Sequence, residues 1–470
     1  MSSAPPPPLP AAASGASRQH LPDILRLALP ASAEAVIQLL FNFLAQLIVA
    51  TLGATAVAAV GFSNNVTLVL IFTLGTLGSG AGILVARAHG AGNRAAVART
   101  AGTALLLAGA VTSLLVAGLS AFAAPVLGVL GAPAELSAAA TPFFQVALLS
   151  VPLIVLSIVT GNVLRSLERP RIPMVATLIA AAVNVAVGYA LVHGALGLPR
   201  LGLVGAAWGA LAGQAVRAAL LAVFLYGPRG LIFPAWSGLG TGGRLLVREL
   251  LNLSLPLAAT QLAWSGGNLL YALFLARLGT EVLAGVQIGY TLEGIFVVAS
   301  SGLVPAATAL IGQAVGQGDA RLAGERARAV ERFGLVTGAA FGALFALSAL
   351  ALPLLYPGVG AEVRAVALTT ILVNAAVQVV KVANMVRGAG VLPSGSDTRG
   401  VLIGDAISAF AVGLPLAWLL AFGLNLGVWG VLIARVLEEL VKVVIFSWRA
   451  RKLSWAGVIA GQAGVQAATD

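Results

Sequence analysis

Cysteine is absent from this chain of 470 residues, and only three histidines occur, at widely separated positions. Without thiols the chain forms neither disulfides nor thiolate metal sites, and His20, His89 and His193 provide no ligand cluster for a catalytic metal. We therefore expect no cofactor beyond a possible coupling ion. Charge is scarce as well, because Asp, Glu, Lys and Arg make up only 9% of the residues. A soluble protein of this length carries a charged surface, so an ordinary soluble domain is excluded.

Apolar residues are abundant instead: they fill 59% of the chain, and the mean hydropathy is +1.00. An apolar helix of about 20 residues crosses the hydrocarbon core of a bilayer. Twelve segments meet this requirement, at residues 29–52, 60–85, 99–123, 138–160, 172–194, 203–226, 254–277, 286–311, 333–356, 363–386, 400–423 and 427–448. The short alternating segments of a β-barrel are absent. The sequence therefore predicts an all-α membrane protein with twelve transmembrane helices.

An internal repeat organises these helices. Residues 29–93 correspond without a gap to residues 255–319, at a constant shift of 226 positions. The matched residues include Leu29 with Leu255, Pro30 with Pro256, Asn42 with Asn268, Gly53 with Gly279, Gly90 with Gly316 and Gly92 with Gly318. Each repeat holds six helices, an even number, so both enter the membrane in the same orientation. We expect a pseudo-two-fold axis along the membrane normal, with a substrate path between the repeats.

Basic residues predict the orientation in the membrane. Most Lys and Arg lie in the tails and in the loops after spans 2, 4, 6, 8 and 10, and basic loops stay cytoplasmic. The predicted domains are a cytoplasmic Pro-rich tail (1–28), an N-terminal six-helix bundle (29–226), a cytoplasmic connector (227–253), a C-terminal six-helix bundle (254–448) and a cytoplasmic tail (449–470). Both termini are thus expected inside the cell membrane. No removable signal peptide is evident.

Several classes of function are disfavoured by the sequence. The net charge of +11 is spread over short loops without aromatic neighbours, which argues against a nucleic-acid partner. No Ser/His/Asp set, metal motif or phosphate-binding loop suggests an enzyme or direct use of ATP. A channel would need a filter-like loop or a ring of charges. We expect a monomer surrounded by membrane lipids that moves a small-molecule substrate by alternating access.

A set of short motifs carries a family resemblance. The set comprises Leu52-Gly53, Ala58-Ala59-Val60-Gly61, Val85 to Asn93, Leu164-Arg165-Ser166 with Pro173-Met174, Gly202 to Ala207, Val386 to Gly390 with Asp397-Thr398, and Gly413 to Ala417. In this order, over residues 22–455, the set resembles the multidrug and toxic compound extrusion (MATE) family. The resemblance implies efflux of amphipathic or cationic compounds, driven by a proton or sodium gradient. The alternative is a flippase for lipids or lipid-linked saccharides, from the related superfamily.

The chain departs from this family at its usual acidic positions. Many members carry Asp in the first helix, eight residues before the Leu-Gly turn, where this chain has Ala45. A second Asp commonly follows four residues after the Asn of the fifth helix, but Asn184 is followed there by Gly188. The repeat counterpart of Ala45 is Tyr271. Coupling to a gradient must therefore use other ionisable groups.

Five acidic residues lie within the predicted spans, and three are candidates for carrying a proton or cation: Glu34, Glu293 and Asp405. An ionised carboxylate is costly in hydrocarbon, so these groups should face a cavity or a partner. Glu34 is alternatively close enough to a membrane face to reach water, and Asp405 could pair with Arg399. The other two, Glu438 and Glu439, are interpreted as structural, because each has a basic residue four positions away on the same helix (Lys442 and Arg435).

Polar stripes predict the walls of the substrate cavity. Gln38 and Asn42 follow Glu34 at helical spacing on the first helix, and the seventh helix carries Gln261 and Asn268 in a related stripe. The remaining candidates are Asn184, Tyr271, Asn374, Gln378 and Lys381. Lys381 pairs with Asp405 or Glu293, contributes positive charge to an anion path, or reaches the membrane face. Tyr271 and Trp264 could stack an aromatic cation, or simply pack.

Overall fold

The computed structural model describes residues 19–129, 134–227, 230–232 and 241–469, and within these ranges every regular element is a helix. The long helices are α1 (Leu21–Ala50), α2 (Ala54–Gly90), α3 (Arg94–Ala121), α4 (Ala134–Ser166), α5 (Arg171–His193), α6 (Leu203–Tyr226), α7 (Thr241–Leu278), α8 (Thr280–Gly316), α9 (Ala320–Leu355), α10 (Ala361–Ser394), α11 (Thr398–Gly423) and α12 (Val428–Lys452). A short helix, Ala123–Val129, precedes α4, and α13 (Trp455–Thr469) follows α12. We call α1–α6 the N-half and α7–α12 the C-half.

Ten of the helices in the described ranges are long and apolar enough to cross a membrane. The two others that coincide with predicted spans, α7 and α12, carry more polar side chains. Large apolar residues are exposed on the helices: Leu114 is 77% exposed and Leu354 83%. Apolar surface of this kind suits hydrocarbon rather than water, and each helix satisfies its own backbone hydrogen bonds. The chain is a multi-pass membrane protein.

The helices extend beyond the predicted apolar spans. Helix α1 begins at Leu21, inside the predicted tail 1–28, and most of the predicted tail 449–470 is helical. The predicted connector 227–253 is also helical from Thr241 onward. Hydropathy detects only the part of a helix that lies in lipid, whereas intrahelical hydrogen bonds continue into water. Residues 1–18 of the first tail, 228–229 and 233–240 of the connector, and residue 470 of the last tail lie outside the described residues.

Loop conformation repeats at the predicted shift of 226. The turns after α1 and α7 contain Gly53 with φ 98° and Gly279 with φ 126°, a region of backbone space that glycine adopts readily. The loops after α2 and α8 behave alike, because Asn93 and Asp319 each accept a hydrogen bond of 2.9 Å from the backbone N–H three residues later. These side chains cap the next helix. The motif thus repeats because it makes the same turn twice.

The two halves meet at the ends of α2 and α8, and the contacts are reciprocal. Gly90 lies against the backbone of Gln313, and Gly316 lies against the backbone of Arg87. Adding 226 to Gly90 gives Gly316, and adding it to Arg87 gives Gln313, so each contact is the counterpart of the other. Neither glycine has room for a side chain. The two halves thus contribute equivalent positions of the sequence repeat to this contact.

Side chains extend this joint across the halves. Arg87 donates to the Ser394 carbonyl at 2.7 Å and to the Ser396 hydroxyl at 2.8 Å. In the opposite direction, Gln313 donates to the Ser166 carbonyl at 3.4 Å. Burial raises the pKa of Glu249, which precedes the predicted span of α7, and the nearby Arg87 opposes that shift. In this joint the backbone contacts of the two halves are equivalent, whereas their side-chain hydrogen bonds differ.

Candidate functional site

In the N-half, four helices converge on the carboxylate of Glu34. Arg165 on α4 donates to Oε2 at 2.6 Å, and Arg217 on α6 donates to Oε1 at 2.8 Å. Thr177 on α5 also donates to Oε1, at 3.0 Å. The Glu34 side chain is 3% exposed and that of Arg217 is 5% exposed. We call Glu34, Arg165, Thr177 and Arg217 the N-cluster.

The charge of the N-cluster is not balanced. One carboxylate faces two guanidinium groups, so the sum is one negative and two positive charges, a net +1. The predicted snorkelling of Glu34 to a membrane face is wrong, because its carboxylate is buried between helices. Its assignment as a coupling group stays a prediction. A small cation that approached this site would be repelled by two arginines and attracted by one glutamate.

In the C-half, three carboxylates surround one ammonium group. Lys442 on α12 lies 3.0 Å from an oxygen of Asp405, 3.7 Å from Glu439 and 3.9 Å from Glu438. Lys442 and Glu438 are buried. The pairing of Asp405 with Arg399 is therefore replaced by Lys442, which reaches across from α12 to α11. The i,i+4 spacing did not reveal that Lys442 points into the bundle rather than along the helix surface.

Tyr271 contacts one of the three carboxylates around Lys442. Its hydroxyl donates to Glu438 Oε2 at 2.7 Å, and the guanidinium carbon of Arg435 lies 4.6 Å from the ring centre. Arg435 also lies 3.5 Å from Glu438. The sequence predicted Glu439, four positions after Arg435, as its partner. Glu438, three positions after Arg435, is the residue on the same face of the helix. An added side chain at Gly413 would meet Tyr271 and Glu438, so a glycine is needed where α11 passes this pair.

A second buried ion pair lies beside these residues. Lys381 on α10 contacts Glu293 on α8 at 2.5 Å and donates to the Asn374 amide oxygen at 2.6 Å. Of the predicted alternatives for Lys381, the pairing with Glu293 is confirmed. Asn384, one turn further along α10, donates to Glu439 at 2.8 Å. Lys381 also interacts electrostatically with Glu439, so its pair adjoins the carboxylates around Lys442.

Together these side chains form the C-cluster, and its charge is the opposite of that of the N-cluster. The acids are Glu293, Asp405, Glu438 and Glu439, and the bases are Lys381, Arg435 and Lys442. Four negative and three positive charges sum to a net −1. An excess carboxylate in a mostly buried cluster is stabilised by a proton or by another small cation.

A pocket opens onto the C-cluster. Its lining includes Trp264, Asn268 and Tyr271 from α7 together with Asp405 from α11 and Glu438 from α12. The Asp405 side chain is 19% exposed, more than that of Glu438 at 4%. Asp405 is thus the more exposed of the two carboxylates that line the pocket.

The other predicted cavity residues are distributed more widely. Asn42 is exposed on α1, while Gln38 and Gln261 are half-buried. Asn184 lies at the seam between α5 and α6, where Gly209 and Gly213 pack against it. Gln378 is fully buried, and neither end of its amide has a hydrogen-bond partner among the described residues. These five positions do not line the C-cluster pocket.

Sequence reasoning missed several members of both clusters. Arg165 belongs to the motif Leu164-Arg165-Ser166 at the end of α4, but its side chain contacts Glu34, which is 131 positions earlier in the sequence. Lys442 was seen only as a helix-surface partner, and Asn384 was not considered. A signal was available in the burial cost, because a basic residue inside an apolar span requires an acid. The span of α6 contains Arg217, and that of α12 contains Arg435 and Lys442.

Comparison with known sequences shows which protein family this chain resembles. A profile of the MatE family matches residues 30–190 and 256–419. A probable multidrug resistance protein NorM from Bradyrhizobium diazoefficiens is 30% identical over 466 residues, which is 94% of this chain and 96% of that protein. The NorM protein of Rhizobium meliloti is 30% identical over 92% of this chain and 93% of its own length. The alignment with a NorM protein of Thermotoga maritima is shorter, at 28% identity over 64% of that protein.

Solved structures show the same fold. A MATE crystal structure in the bent conformation superposes with a TM-score of 0.85 at 20% identity, covering 97% of this chain and all of that one. An outward-facing multidrug resistance MATE family transporter gives a TM-score of 0.82 at 19% identity, over 99% of this chain and 100% of that one. At this level of identity the comparison shows the arrangement of helices and not the chemistry of the site.

Proposed function

The chain belongs to the MatE family of multidrug efflux transporters, and from this membership we propose that it exports amphipathic or cationic small molecules by secondary active transport. Members of the family are transporters rather than enzymes. The substrate is a compound whose positive charge and apolar rings match an acidic, aromatic-lined pocket. The compound moves against its gradient because an ion moves down its own.

We infer twelve transmembrane helices in two six-helix repeats, related by a pseudo-two-fold axis along the membrane normal. The reciprocal contacts of Gly90 and Gly316 support this arrangement. Because basic loops stay cytoplasmic, the joint between the halves lies on the cytoplasmic side, as do both termini. Separation of the halves at this joint, with closure at the opposite end, gives alternating access.

The coupling ion in this proposal is a proton, and it binds in the C-cluster. The supporting observation is the position of Lys442, whose ammonium group stands 3.0–3.9 Å from three carboxylates. A permanent cation already occupies the centre where Na⁺ would need oxygen ligands at close range. A proton needs no such space and can neutralise the excess charge on one carboxyl. Asp405 is the exchanging group, because it is the carboxylate that faces the pocket.

The remaining predicted acids fit the role less well. Glu293 is neutralised by one direct partner, Lys381. Glu34 is held by two arginines. Trp264 lines the pocket, and an indole ring attracts an organic cation. A phosphate-bearing lipid, the substrate of the alternative flippase function, would meet net negative charge there.

The proposal is tested with the purified protein in liposomes loaded with ethidium. Dye efflux is recorded with a pH gradient alone, with a sodium gradient alone, and without either. We expect efflux to accelerate with the pH gradient and not with sodium. Glu325→Gln, which removes one side of an exposed i,i+4 pair with Arg321, is the control and should behave as wild type. Equal rates with and without a pH gradient would refute proton-coupled export.

A further inference from the structure

The N-cluster has an unbalanced positive charge in a place where charge is costly. Arg217 is 4% exposed, and the side chain of Arg165 is 16% exposed. Both guanidinium groups depend on the single carboxylate of Glu34. A buried charge without a partner costs several kcal/mol, so native proteins pair such groups. The second arginine lacks its counter-charge within the cluster.

The surroundings contain no other candidate for that counter-charge. In the described residues, the groups that face Glu34 and Arg217 electrostatically are each other and Arg165. The remaining polar neighbours are uncharged: Thr177 from α5, and Asn162, whose amide oxygen accepts from Arg165 at 3.1 Å. Among the described residues, Glu34 is the acid that forms an ion pair with Arg165 and with Arg217. An anion bound beside them would supply the second negative charge.

Free donors are available to hold it. The Nε–H groups of Arg165 and Arg217 are both buried and without a hydrogen-bond partner. A guanidinium presents five N–H donors in a planar fork that suits a carboxylate or another small anion. Glu34 takes one Nη2 donor from each arginine. The partly exposed side of Arg165 provides the approach to the remaining donors.

We propose that Arg165 and Arg217 form a binding site for a monovalent anionic group, which occupies their free donors beside Glu34. The shared chemistry is that of chloride and of a carboxylate. The carboxylate could belong to an exported compound that carries both charges, and this source rests on the proposed function.

The site is tested by thermal unfolding of the purified full chain in nanodiscs, without any ion gradient. Chloride or benzoate is titrated against potassium sulfate at equal ionic strength, and benzamide serves as the neutral match of benzoate. We expect the unfolding midpoint to rise saturably with chloride, benzoate or both, and the pattern identifies the source. Benzamide should have no effect. Absence of a response to both anions, or an equal response to benzamide, would overturn the proposal.

Charge variants give opposite, signed results. Glu34→Gln removes the competing carboxylate, so the anion should bind about tenfold more tightly, a difference of ~1.4 kcal/mol. Arg165→Gln leaves one acid and one base, a neutral pair that should fold well and lose the anion response. Arg321→Gln, at a position 88% exposed, is the control and should respond as wild type. A retained response in Arg165→Gln, or unchanged affinity in a folded Glu34→Gln variant, contradicts the site. Loss of dye efflux alongside an intact anion response would count against the proposed function only.

Discussion

The N-half and the C-half share a helical plan but differ in the sign of their buried charge. Glu34 is shared by two arginines, for a net +1, whereas four carboxylates face three basic groups in the C-cluster, for a net −1. A site with excess cations holds its carboxylate in place, while a site with excess acids has a carboxylate available for a proton. In our proposals the N-half binds an anion and the C-half couples transport to an ion, in accordance with this difference.

The repeat shows how this difference is tolerated. The counterpart of Glu34 is Thr260, whose hydroxyl donates to the Pro256 carbonyl on its own helix. The counterpart of Glu293 is Thr67, which donates to the Ser63 carbonyl in the same way. A threonine that bonds within its own helix needs no partner from another helix. One repeat can therefore keep an acid where the other has none, without leaving a buried polar group unsatisfied.

The largest difference between the halves is expected in transport. Asp405→Asn removes the pocket-facing carboxylate and brings the C-cluster to net zero, so the proton has no exchange site. Proton-driven ethidium efflux should fall at least about tenfold, in line with the loss of an interaction worth ~1.4 kcal/mol. Glu34→Gln should retain acceleration by the pH gradient. Initial rates in liposomes at matched protein density measure both. Retained acceleration in Asp405→Asn would remove the C-half from coupling.

The free energy of unfolding should be affected in the reverse order, more by Glu34→Gln than by Asp405→Asn. Glu34→Gln leaves two buried arginines without an acid, and removal of one partner from a buried pair costs about 3–5 kcal/mol. Asp405→Asn relieves an excess of negative charge and should change stability by less than about 1 kcal/mol. Thermal unfolding in a sulfate buffer compares the two variants directly. Equal destabilisation by both would show that the charge balance of the clusters is not what distinguishes the halves.

The joint is where the halves agree, so matched substitutions there should act alike. Gly90→Ala and Gly316→Ala each place a methyl group against backbone of the other half, an overpacking worth about 1–3 kcal/mol. Both should open the joint. Because the chain has no cysteine, Ala88→Cys, at a position 4% exposed, reports opening by its rate of maleimide labelling.

The control for the joint is Gly294→Ala, at a position with open space around the added methyl group. It should leave the labelling rate of Ala88→Cys unchanged. Faster labelling in only one of the Gly90→Ala and Gly316→Ala variants would break the symmetry inferred for the joint.

A smaller effect is expected within the C-cluster. Tyr271→Phe removes the hydroxyl that donates to Glu438 at 2.7 Å and keeps the ring under Arg435. The loss of one hydrogen bond to a charged group corresponds to about 1.5–3 kcal/mol, in part recovered here because Arg435 and Lys442 still face Glu438. We expect the pH at which efflux is half-maximal to move while the dependence on a pH gradient persists. An unchanged pH profile would exclude Tyr271 from the coupling network.

The sequence predicted the long helices and the similar loops well, because both depend on local patterns. Hydropathy located the long helices, and the pairing of Gly92 with Gly318 and of Asn93 with Asp319 predicted loops that the structure shows to be alike. Intramembrane acids were found by their rarity. The pairing of Lys381 with Glu293 was among the predicted alternatives, since few partners exist in an apolar chain.

The charge partners could not be predicted as reliably, because they depend on helix rotation and packing. Arg165 and Arg217 meet Glu34 from positions 131 and 183 residues away. The four-residue spacing from Glu438 to Lys442 is the same for a lysine on the surface of α12 and for one that points into the bundle. No local pattern states which way such a side chain turns. The balance of charge in each half therefore becomes visible only when the helices are assembled.

The central claim, that coupling resides in the C-half, is tested most directly by proton movement itself. Ethidium is added to liposomes that contain the transporter and a pH-sensitive dye, and the substrate-induced change in internal pH is recorded for wild type, Glu34→Gln and Asp405→Asn. We predict proton movement in wild type and Glu34→Gln, and none in Asp405→Asn. Proton movement lost in Glu34→Gln and retained in Asp405→Asn would contradict the account.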